Sequence, residues 1–170
     1  MPELVTAPTH AHRLPDHQRH PIYDQHMNLE QVKVRAPFRL IEGIGTDWMA
    51  LQMGEPLDPV QNPARLTSAH IDIPFDYSSS KDTLSVCTST IPFWPVTLER
   101  GNRIGVSVDG CPPVVCENKF EEWSYPWKLQ VLENRKDYLL TFPIDPARKH
   151  HVLTLVIGDP GQMVQQITFQ

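Results

Sequence analysis

In Ala69-His70-Ile71-Asp72-Ile73-Pro74-Phe75-Asp76-Tyr77 every second residue is apolar or aromatic, and the residues between are polar or proline. Side chains of a β-strand alternate between faces, so this period of two predicts a strand with one buried and one wet face. Pro74 has no N–H to give to a ladder, which places the strand at a sheet edge or at a bulge. The polar run Ser78-Ser-Ser-Lys-Asp82 then turns the chain into a second strand, Leu84–Ile91. Further on, Ile104, Val106 and Val108 lead into Asp109-Gly110, a dipeptide that favours tight hairpins, and Val114-Val115 begins the return. Tyr138–Phe142, Val152–Ile157 and Met163–Phe169 complete the C-terminal half, the last two separated by the turn Gly158-Asp-Pro-Gly161.

Upstream, Met27–Val34 and Phe38–Glu42 each read as a short strand or extended segment. Ile41-Glu-Gly-Ile-Gly-Thr-Asp-Trp48 packs two glycines ahead of a large aromatic, and residues 56–63 form a proline-rich loop. Residues 121–134 carry the only helical spacing, with Trp127, Val131 and Arg135 four apart and Leu129 and Leu132 three apart. About eight short strands at near-regular intervals predict a mostly β protein, an antiparallel β-sandwich of jelly-roll-like or immunoglobulin-like type with one short helix.

The totals agree with that reading. A chain of 170 residues suits one domain. Its 17 prolines leave little room for long helices. Residues 1–25 lack an apolar period and are expected to be a linker or poorly ordered lead-in, with the sandwich spanning 26–170. The lead-in holds His10, His12, His17 and His20 near Asp16 and Asp24, but nothing there predicts a packed framework for ligands, so no metal and no cofactor is expected. A net charge of −5 and a pI near 5.9 argue against a nucleic-acid partner. No run approaches the ~20 apolar residues that cross a bilayer, and the first residues lack a basic start followed by an apolar core, so a soluble chain without an export signal and without a membrane role is expected. Cys87, Cys111 and Cys116 are too few for a disulfide scaffold; they read as small buried side chains, with a Cys111–Cys116 clip as the alternative.

Motifs for nucleophilic or metal-dependent hydrolysis are absent. Asp72 with Asp76, and Glu121 with Glu122, are paired carboxylates of the kind glycoside hydrolysis uses, yet on a wet strand face such pairs read as solvated surface. Aromatic residues are the better candidates. Trp94 lies in the rigid run Ile91-Pro-Phe-Trp-Pro95, while Trp123, Tyr125 and Trp127 crowd the start of the predicted helix. Flat rings displayed on sandwich loops can stack on sugar C–H faces, and Arg103, with Arg100, could pair with a uronic-acid carboxylate. The candidate carbohydrate-binding residues are therefore Trp94, Trp123, Trp127 and Arg103; a core role is the competing reading for each tryptophan. No catalytic residue is assigned.

Seven runs occur in an order that resembles the C-terminal domain of family 115 of the glycoside hydrolases. They are Met27-Asn-Leu-Glu-Gln31, Ile41-Glu-Gly-Ile-Gly45 with Trp48, the strand ending at Tyr77, Ile91-Pro92, Val106-Ser-Val-Asp-Gly-Cys-Pro-Pro113, the spaced Trp127, Val131 and Asn134, and Leu153–Ile167. Enzymes of that family are α-glucuronidases that remove glucuronic acid or its 4-O-methyl ether from xylan, and their catalytic machinery precedes this domain. The resemblance implies a non-catalytic accessory β-sandwich, with no activity from this chain alone. Its implied partners are the catalytic domain of a parent hydrolase, a second copy in a homodimer, and polysaccharide through xylan side chains; the implied parent is periplasmic or secreted. The alternative is a free-standing carbohydrate-binding module that uses Trp94, Trp123 and Trp127 as a stacking platform.

Overall fold

The computed structural model describes residues 25–92, 100–119 and 121–170. The expected lead-in lies outside them except for Gln25, which already pairs with Phe169. Ten strands occur among the described residues: β1 (Gln25–His26), β2 (Phe38–Glu42), β3 (Met49–Met53), β4 (His70–Asp76), β5 (Thr83–Thr90), β6 (Asn102–Val108), β7 (Val114–Asn118), β8 (Lys136–Pro143), β9 (His150–Ile157) and β10 (Gln162–Phe169). One helix, α1 (Tyr125–Glu133), falls inside the stretch predicted to be helical.

β4 behaves as its alternation predicts. Ile71 and Ile73 are buried, Asp72, Pro74 and Asp76 are exposed, and the strand pairs only with β9, at the edge of a four-stranded sheet ordered β4-β9-β6-β7. Pro74 sits opposite Val152, whose N–H and C=O both turn the other way, to the Asp109 carboxylate and the Asp109 N–H. No ladder bond is therefore lost at the proline.

The second sheet runs β2-β3-β10-β5-β8, with β1 also paired to β10. All ladders are antiparallel, and their nesting identifies the topology: β3 pairs β10, β4 pairs β9, β5 pairs β8 and β6 pairs β7. That is one long antiparallel ribbon doubled at the β6–β7 hairpin and wrapped so that β5 meets β10 and β6 meets β9. Wrapping a ribbon in this way makes a jelly roll, so of the two sandwich types the sequence allowed, the immunoglobulin type is excluded. The inner faces interlock around Leu51, Met53, Leu84, Val86, Ile104, Val106, Leu153, Leu155, Ile167 and Phe169, and Phe75 stacks on Phe169 with ring centroids 4.2 Å apart. Burying each aliphatic side chain contributes roughly 1.5–3 kcal/mol.

The β6–β7 hairpin turns at the expected dipeptide. Asp109 and Gly110 have φ of 51° and 76°, and Cys111 N–H donates to Val108 O at 3.0 Å, the left-handed geometry that Asp-Gly tolerates. Gly158-Asp-Pro-Gly161 also turns the chain, but it carries it from β9 in one sheet to β10 in the other. Two expectations need correction. Met27–Val34 is not a strand: Asn28 caps a single 3-10 turn, Leu29–Gln31, which drops Leu29 and Val32 into the core. Met49–Met53 is a strand the sequence did not announce, because Ala50, Leu51, Gln52 and Met53 are all buried and show no alternation.

Candidate functional site

Ser124 begins α1 by accepting a hydrogen bond from Trp127 N–H, Pro126 occupies the first turn where no N–H is needed, and Asn134 closes the helix at φ 49°. Trp123 precedes the cap in a left-handed conformation, φ 65°. The rings of Trp123 and Trp127 lie 5.0 Å apart and tilted by 53°. Trp123 is 68% and Tyr125 73% exposed, Trp127 is partly buried, and Val131 and Leu132 are exposed as well. No residue of α1 is fully buried, so the helix presents apolar surface outward. The structure thus brings Trp123 and Trp127 together; Trp94, the third aromatic candidate, lies outside the described residues.

Arg103 is engaged within the fold. Asp159, whose side chain has no exposed area, accepts Arg100 Nη2 on Oδ1 at 2.6 Å, Arg100 Nη1 on Oδ2, and both the Arg103 N–H at 2.8 Å and Arg103 Nε at 3.3 Å on Oδ2. Burial alone would raise the Asp159 pKa, but hydrogen bonds from both arginines and the charge of Arg100 outweigh it and hold the carboxylate below its ordinary value. The Arg100 guanidinium is held above its ordinary value by the same hydrogen bond. These two arginines fasten the β9–β10 turn to the start of β6.

Three residues have the types found in hydrolytic triads, and their geometry does not support one. His151 is fully buried, with Nδ1 2.7 Å from Asp109 Oδ2 and Nε2 3.2 Å from Arg148 O, while the Ser107 hydroxyl donates to Cys111 O at 2.6 Å. The second imidazole nitrogen therefore faces a carbonyl and not a nucleophile. Burial raises the Asp109 pKa, yet the His151 hydrogen bond, the Val152 amide and the charges of His151 and Arg148 together leave it lowered. Asp72 and Asp76 stay on the wet face of β4, Asp72 accepting from Thr154 Oγ1 and Asp76 meeting His150 Nδ1, each at 2.6 Å. They border a cleft of about 510 Å³ between β4 and the segment after β1. Cys87, Cys111 and Cys116 form no disulfide, and burial pushes the Cys116 thiol up to about 12, which keeps it protonated and unreactive. Among the described residues no group of three or more histidine, cysteine or acidic side chains is placed to hold a metal, and no helix is long and apolar enough to cross a membrane.

One exposed aromatic escaped the sequence reading. Trp48, 74% exposed at φ 58°, stands on the turn between β2 and β3, beside an open depression of about 660 Å³. The signal was present in the two glycines before it, which are what a tight, ring-displaying turn requires.

No family model and no curated protein sequence matches the chain. Among solved structures, a family GH115 4-O-methyl-α-glucuronidase with specificity for decorated arabinogalactans is similar at a TM-score of 0.67 and 22% identity, over 100% of this chain and 19% of that one. An exo-β-1,3-galactanase from Phanerochaete chrysosporium in complex with galactose is similar at a TM-score of 0.54 and 11% identity, covering 86% of this chain and 29% of the galactanase. The chain thus spans about a fifth of the length of the glucuronidase it matches. At these identities the likeness is one of fold: the jelly roll seen here is also built into part of two glycoside hydrolases.

Proposed function

We propose that the chain is a non-catalytic accessory domain of a glycoside hydrolase, of the kind that ends family 115 α-glucuronidases, and that it buttresses a catalytic domain or a dimer. The observation that carries this reading is the match of the whole chain to one fifth of a family GH115 enzyme, taken with the ordered runs from Met27 to Ile167. The outward apolar surface of α1 supports it, since contiguous exposed apolar area marks contact surfaces. The parent's substrate would be a polysaccharide decorated with glucuronic acid or its methyl ether. Incubated alone with aldouronic acids, the chain is expected to release no uronic acid; measurable turnover would overturn the reading.

The exposure of Trp123 and Tyr125 favours a second reading, a carbohydrate-binding module that stacks sugars on Trp123 and Trp127. Titration with xylan oligomers would then quench or shift tryptophan fluorescence. A signal that stays flat to millimolar sugar excludes it.

A further inference from the structure

We propose that the depression beside Trp48 binds a neutral pyranose oligosaccharide, the indole stacking on the sugar's C–H face while Glu30, Glu42 and Asp47 accept hydrogen bonds from its hydroxyls. The turn that carries Trp48 is fixed from below. Gly43 N–H donates to Trp48 O at 2.9 Å, and Thr46 donates to Gln165 Oε1 through its backbone N–H at 2.9 Å and its hydroxyl at 3.1 Å. Gln165 is 1% exposed and spends its amide nitrogen on Asn134 O at 2.9 Å and Thr90 O at 3.3 Å, so the turn is bolted to β10, to the end of β5 and to the close of α1. At Gly45, φ 83°, an added Cβ would come within 3.0 Å of Gln165 Cβ, so the seat accepts only glycine. A large ring held in water on a seat this closely tied is already organised for stacking, which lowers the entropy cost of binding.

The depression's lining suits a sugar. Leu40 and Met49 contribute apolar lining, and Glu30, Glu42 and Asp47 line it together with Trp48. Asp47 Oδ2 is reached by Gln166 Nε2 at 3.3 Å, and among the described residues no cation pairs with Glu30 or Glu42. A pyranose presents one flat apolar face and a rim of hydroxyls, and carboxylates are the strongest acceptors for such hydroxyls. Three carboxylates on a chain of net charge −5 repel a uronic acid, so the site is selective for undecorated backbone sugar. A cationic ligand would also welcome the carboxylates, but a cation cage encloses its guest with several aromatic walls, and this depression has one. The choice of sugar rests on the reading that the chain works beside a glycoside hydrolase; the site itself rests on Trp48 and its lining.

The test uses the whole chain and ¹H–¹⁵N spectra in which the indole N–H signals are assigned by single Trp→Phe substitutions. Xylotetraose and β-1,3-galactotriose are the neutral probes, with a glucuronic-acid-bearing xylotriose and trilysine for comparison. At least one neutral probe is expected to shift the Trp48 indole signal saturably. Followed instead through the backbone amide signals of residues 43–49, binding should weaken about tenfold in Trp48→Ala and no more than about threefold in Trp48→Phe, both with little change in melting temperature because the side chain is 74% exposed. Glu30→Gln with Glu42→Gln should narrow the preference for neutral over uronic sugar by roughly fivefold. A Trp48 signal unmoved by millimolar neutral sugar, equal binding of the uronic probe, or a response to trilysine alone would each overturn the proposal. None of these outcomes touches the accessory reading, which stands or falls on the hydrolysis assay.

Discussion

The Asp159 carboxylate is removed from solvent and answered by two arginines and a backbone N–H, all drawn from the segment that enters β6. A charge buried this way is stabilising only while its partners remain, and removing one side leaves the other desolvated without compensation. Asp159→Asn keeps the shape and removes the charge, so it should cost about 3 kcal/mol of unfolding free energy, read from urea denaturation. An unchanged midpoint would show that solvent at the partly exposed arginines already screens the pair. The sequence offered Arg103 and Arg100 as sugar contacts because a surface arginine and a buried clamp have the same residue type. What distinguishes them is a carboxylate more than fifty positions away in the chain, and no local pattern reports that distance. Trp48 is the reverse case: its glycine-rich approach is visible in the sequence, while its exposure depends on what the rest of the fold leaves uncovered.

Among the elements, β4 and α1 represent the two extremes of legibility. Alternation announced β4 and its proline limited it to a sheet edge or a bulge, both from backbone geometry alone, and the ladder to β9 decides for the edge. β3 was invisible for a related reason: a strand covered on both faces has no polar phase to mark its period. The helix was placed correctly, but the spacing that located it does not say which face is buried, and its apolar residues lie at the surface, with Leu132 82% exposed. A helix that buries so little is held by its ends. Ser124→Ala removes the hydrogen bond to Trp127 N–H and should lower the local stability of α1 by about 1 kcal/mol. Hydrogen exchange should then quicken in residues 127–133 while β9 and β10 amides keep their protection, because the opening is local. Loss of protection throughout both sheets would show that α1 is cooperative with the core.

For the molecule as a whole, the two lowered aspartates predict its response to acid. Each binds its proton more weakly in the folded chain than in the unfolded one, so the stability they contribute is complete above the unfolded value, near 4, and is lost as the pH falls through the lower folded values. Urea midpoints should therefore show no pH dependence from these groups between pH 7 and about pH 5 and a steep decline below about pH 4, with the Asp159→Asn variant declining less. A midpoint that rises toward pH 3 would contradict the sign of both shifts. The nested ladders also join strands far apart in sequence, β3 to β10 and β4 to β9, the long-range pairing that makes β-sandwiches fold slowly. Composition, alternation and turn chemistry determined by themselves that this chain would be an antiparallel sandwich with a strand at Pro74 lying at an edge or a bulge and a hairpin at Asp109-Gly110, because strand period and backbone φ are properties of neighbouring residues. Only the tertiary structure decided that the sandwich is a jelly roll, that Arg103 is tied to Asp159, and that Trp48, Trp123 and Tyr125 face solvent, because pairing order and exposure depend on residues brought together from distant parts of the chain.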